Sequence, residues 1–87
     1  MRSMELKEGM IFQCYNEGYR KITGIEYDDG ETYVDYDYHT NLEALKKGEA
    51  EDSDDLDLSE FRNLIARGDF QLVDVPINWK SRLRKKK

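Results

Sequence analysis

The stretch Tyr19-Arg20-Lys21-Ile22-Thr23-Gly24-Ile25-Glu26-Tyr27-Asp28-Asp29-Gly30-Glu31-Thr32-Tyr33-Val34-Asp35-Tyr36-Asp37-Tyr38-His39 decides the fold. Asp29-Gly30 tolerates the positive φ values of a tight hairpin turn, and β-branched and aromatic residues crowd both sides of it. From Thr32 to His39 the alternation is clean, with Val34, Tyr36 and Tyr38 on one face and Tyr33, Asp35 and Asp37 on the other. The aspartates must meet water or a cation, so the Val/Tyr face is the expected core side. In the strand before the turn, Ile22 and Ile25 are three apart and fall on opposite faces unless an extra residue intervenes. Gly24 marks where that bulge is expected.

Working outward, Met10 to Tyr15 alternates behind the Glu8-Gly9 turn signal and reads as a first strand, joined to the second through Asn16-Glu17-Gly18. On the other side, Thr40-Asn41-Leu42-Glu43 fits a capping box with Thr40 as the cap, predicting a short helix that runs to Lys47 and stops at Gly48. Residues 48–56 include Glu49, Glu51, Asp52, Asp54 and Asp55, with Asp57 just beyond. Such a run repels itself and buries almost nothing, so an inserted mobile loop is expected. Asp57-Leu58-Ser59-Glu60 makes a second capping box, ahead of Phe61, Leu64 and Ile65 at helical spacing. Gly68 ends that helix, and Asp69 to Val75 returns to strand alternation before Pro76.

The order β-β-β-α-loop-α-β predicts an α+β domain, mainly antiparallel, built as a small bent sheet or a partly open SH3-like barrel. Residues 1–75 form the single domain and 76–87 a flexible basic tail. At 87 residues the chain holds one core and no second. The segment Leu58–Val73, preceded far upstream by Lys7-Glu8-Gly9-Met10-Ile11-Phe12, is similar to small proteins of phages and mobile elements. That resemblance covers the body and carries no catalytic residue across.

Charge divides the chain more sharply than its net value of −5 shows. Residues 1–75 hold 8 Lys/Arg and all 19 Asp/Glu, a balance of −11, while residues 76–87 hold the other 6 basic residues and no acid. Apolar runs of about three residues fall far short of the roughly 18–20 that a membrane helix needs, and the polar N-terminus lacks the apolar stretch of a secretory signal. One Cys cannot form an internal disulfide, so the reducing cytoplasm is the expected compartment. A single His and a single Cys leave no metal cluster or nucleophile–base pair to assemble, and no cofactor is expected.

Each chemical constellation competes with a plainer reading. An EF-hand begun at Asp52 places Leu56 at the fifth position, Asp57 where Gly belongs and Asn63 where the closing Glu belongs, so calcium is not favoured. Asp35 and Asp37 are about 6.6 Å apart along one strand, an interval used by glycosidases. Without a cleft they read as a solubilising face. Tyr33, between acids, is the expected exposed ring, but Asp35 and Asp37 would repel a phosphate from it. His39 reads as a surface or cap residue and Cys14 as a buried, unreactive thiol.

Two binding surfaces remain. Asp28, Asp29, Asp35, Asp37, Asp52, Asp54 and Asp55 give a dense negative surface suited to a basic protein partner, which points to a non-catalytic protein-interaction regulator or inhibitor. Trp79, Lys80, Arg82, Arg84, Lys85, Lys86 and Lys87 give the alternative, an accessory protein whose tail contacts nucleic-acid phosphates.

Overall fold

A computed structural model describes residues 5–15 and 17–76, which form, in order, β1 (Ile11–Cys14), β2 (Gly18–Asp28), β3 (Glu31–His39), α1 (Leu42–Lys46), β4 (Asp52–Asp57), α2 (Leu58–Ala66) and β5 (Phe70–Asp74). The strands make one sheet in the order β4-β3-β2-β1-β5, and every neighbouring pair is antiparallel. At the β2–β3 turn Asp29 has φ 54° and Gly30 φ 86°, both positive as a type I′ turn requires.

The bulge falls where the spacing predicts. Ile22 pairs with Tyr36 and Gly24 with Asp35, leaving Thr23 without a partner on β3. That extra residue returns Ile25 to the face of Ile22, and both pack in the core. Met10, Phe12, Cys14, Ile22, Val34, Tyr36 and Phe70 supply the sheet side of this core, and Phe61 of α2 plugs it. The Phe61 ring meets Phe12 and Phe70 edge-on, with centroids 5.4 and 5.1 Å apart, a geometry that adds to the gain from burial alone.

Helix α2 packs against β3, β4 and β5. The sheet therefore curls around the helix, and side-chain packing on α2 links its two edge strands while the ladder itself stays open. The opposite face is covered differently. Ile11 and Leu45 are buried there, outside the main cluster, and Lys21 Nζ donates to the Leu45 carbonyl at 3.2 Å. Since Lys21 pairs with Ile11 and Asp37 across the strands, α1 lies over that face.

Two expectations need correction. The acidic run is not a loop through residue 56: Asp52–Asp57 is strand β4, paired with β3 from Tyr38↔Asp52 to Tyr33↔Asp57. Pairing uses backbone groups, and on an edge strand the carboxylates of both faces still reach water, so repulsion does not prevent it. Leu56 alone inserts into the core, opposite Val34. The cap of α1 is Asn41, whose Oδ1 accepts the Ala44 N–H at 3.0 Å. Thr40 instead donates to Glu51 at 3.2 Å.

Asp57 caps α2 as expected, but among the described residues no return bond from Glu60 to the Asp57 N–H completes the capping box. Asp57 Oδ1 accepts the Ser59 N–H at 2.9 Å and the Ser59 hydroxyl at 2.8 Å. These contacts hold the Asp57 carboxyl below the ordinary carboxylate range.

Candidate functional site

The β2–β3 hairpin and β4 carry all seven aspartates of the expected acidic surface. Asp28 and Asp29 sit exposed at the turn. Asp35 and Asp37 lie on the outer face of β3, where Asp35 is directly opposite Asp55 and Asp37 opposite Ser53. Ser53 Oγ donates to Asp37 Oδ1 at 2.7 Å. On the other face Asp54 is opposite Tyr36 and Asp52 opposite Tyr38. The fold thus divides the acids into an outer group and a pair beside the core-facing tyrosines.

Among the described residues none of the seven takes part in an ion pair. Repulsion is visible in the outer group: hydrogen bonding to Asp35 and the charge of that residue push Glu26 above the ordinary carboxyl range. On the edge strand, Asp52 Oδ1 accepts the Ser53 backbone N–H at 2.9 Å and Asp54 Oδ1 accepts that of Asp55 at 2.8 Å. Two backbone donors of β4 are therefore taken by its own side chains. Each of these carboxylates is also turned in a fixed direction with Oδ2 left over.

Arg20 organises the space beside Asp52 and Asp54. It lies on the core side of β2, and its side chain is only 17% exposed. The guanidinium carbon stands 5.2 Å from the Tyr36 ring centroid, 5.3 Å from Tyr38 and 5.2 Å from Phe70, three contacts that favour a cation. Both terminal nitrogens reach Glu17 Oε1 at 3.4 Å. Nε is buried with no hydrogen-bond partner among the described residues. Burial opposes the charge, but contacts with Cys14 and Tyr36 outweigh it and shift the guanidinium further up. Burial also pushes the Cys14 thiol up, away from the reactive thiolate. Glu17, Arg20, Tyr36, Tyr38, Asp52, Ser53 and Asp54 line a half-open cavity of about 230 Å³.

Sequence reasoning placed Asp52 and Asp54 on the acidic surface but not in a cavity, and it missed Glu17 and Arg20. The available signal was alternation, because Arg20 precedes Ile22 by two and so shares its face. Tyr33 is partly buried and donates to Glu31 at 3.3 Å. Among the described residues the exposed rings are Tyr15 and Tyr27, at 72% and 82%. His39 Nδ1 accepts the Asn41 N–H at 2.9 Å, a supporting contact at the start of α1. Trp79, Lys80, Arg82, Arg84, Lys85, Lys86 and Lys87 lie outside the described residues. Among the described residues no helix is long and apolar enough to cross a membrane. Comparison with protein-family models, curated proteins and solved structures found no match to this chain.

Proposed function

We propose that the chain is a non-catalytic protein-interaction module, a regulator or inhibitor that holds a basic partner protein against the β2–β3–β4 end of its sheet. The observation that carries this reading is the set of seven aspartates gathered on adjacent strands, none ion-paired among the described residues. Like charges directly opposite each other on a sheet lower stability, and a cationic partner relieves that cost. The summed field also steers such a partner toward this end of the molecule. The bent sheet closed over by α2 fits a partly open SH3-like barrel, with β4 and β5 as its unjoined edges.

A second reading rests on residues 76–87, whose 6 basic residues and Trp79 suit nucleic-acid phosphates. The field of the acidic body opposes that contact, which places the protein partner first. Three fluorescent probes separate the readings when titrated into the full chain at low salt: an octa-arginine peptide, an octa-glutamate peptide and a single-stranded oligonucleotide. Binding of octa-arginine alone is the expected result. Binding of the oligonucleotide alone transfers the function to the tail, and binding of neither removes both readings.

A further inference from the structure

We propose that the cavity between Arg20, Tyr36, Tyr38, Asp52 and Asp54 receives a single arginine side chain from the basic partner, an inference that rests on the protein-binding reading above. Its volume of about 230 Å³ lies below the roughly 300–1,000 Å³ of pockets that enclose drug-sized ligands. One long side chain entering from the half-open mouth suits that space better than a free cofactor.

Charge selects a cation. Arg20 leans on Glu17 at 3.4 Å, which leaves Asp52 and Asp54 without a counter-charge at the rim. Three carboxylates against one guanidinium repel a phosphate or a carboxylate ligand. The Oδ1 atoms of Asp52 and Asp54 are engaged by the Ser53 and Asp55 backbone N–H groups, so the carboxylates are preorganised and their Oδ2 atoms are available.

Shape selects arginine over lysine. A guanidinium is planar, donates through a fixed fork that can serve two carboxylate oxygens, and stacks on aromatic rings, whereas an ammonium is a compact, strongly hydrated point charge. The rings here already accept one guanidinium, since Tyr36 and Tyr38 hold Arg20 at 5.2 and 5.3 Å. Phe70 is the third ring around Arg20, at 5.2 Å. The incoming side chain would share the cavity with Tyr36, Tyr38 and the two aspartates.

The test compares two pairs of substitutions that remove equal charge from opposite faces of the β3–β4 ladder. Asp52→Asn with Asp54→Asn alters the cavity, while Asp35→Asn with Asp55→Asn alters the outer face. Asparagine keeps an Oδ1 acceptor for the backbone contacts, and thermal melts confirm folding. Full-length proteins are titrated with labelled octa-arginine and octa-lysine peptides. The cavity pair should weaken octa-arginine binding by about tenfold or more and abolish the preference for arginine over lysine, while the outer pair costs less than about threefold. Equal losses from both pairs overturn the cavity and leave the acidic-surface reading standing. Absence of binding to the unsubstituted chain removes both.

Discussion

Asp35 on β3 and Asp55 on β4 stand directly opposite each other across the ladder, and Glu26 on β2 is drawn into the same repulsion through Asp35. An arrangement that costs stability without improving the core is an economical place to look for function. It also gives a direct stability test. Asp55→Lys converts a repulsive cross-strand pair into an attractive one and should raise stability by about 0.5–1 kcal/mol, read as a higher urea midpoint. A lower midpoint contradicts the repulsion.

The acids should also shape the pH profile. Glu26 has its carboxyl pKa raised in the folded state by Asp35, so between its unfolded and folded values the native chain binds more protons than the unfolded one. Stability therefore rises as pH falls from neutral through that window. Asp57 is shifted the other way by its Ser59 contacts. Its stabilisation is present above the ordinary aspartate value and is lost as pH falls through the lower folded value. Urea midpoints should thus pass through a maximum in acid solution, between the ordinary aspartate and glutamate values at about pH 4, and Glu26→Gln should flatten the rise on the neutral side. A steady fall from neutral pH downward excludes the Glu26 contribution.

Gly18 tests how tightly the hairpin ends are packed. Its φ is +94°, and an added Cβ would stand 2.9 Å from the His39 carbonyl oxygen and 3.0 Å from Thr40 Cα. The left-handed backbone alone costs a non-glycine residue about 1–2 kcal/mol, and the backbone clash adds to it. Gly18→Ala should lower the urea midpoint, whereas Gly30→Ala, with open space around its φ of +86°, should lower it less. Equal effects at the two positions would show that the His39–Thr40 backbone yields.

Much of the sheet was legible in the chain because its signals were local. Asp29-Gly30, the alternation of Val34, Tyr36 and Tyr38, the spacing of Ile22 and Ile25 around Gly24, and Asp57 three residues before Glu60 each report on a few neighbouring residues. Strand β4 was not legible, because Asp52–Asp57 has one apolar side chain and its order comes from backbone bonds to β3. The Arg20 cavity was hidden for another reason. Tyr36, Tyr38 and Phe70 reach Arg20 from strands placed by the tertiary fold, and an arginine in a strand ordinarily reads as solvent-facing. The acids of the candidate surface could be named from the sequence, but their division between two faces needed the β3–β4 register.

The most direct test of the central claim is a ¹⁵N amide chemical-shift map of the full chain titrated with an octa-arginine peptide at low salt. The account predicts that the largest shifts fall on the amides of the β2–β3 hairpin and of β4, Arg20, Tyr36, Tyr38, Asp52 and Asp54 included, and that they collapse as salt screens the interaction. Shifts concentrated on β5, α2 or residues 77–87, or no shifts at all, would contradict it.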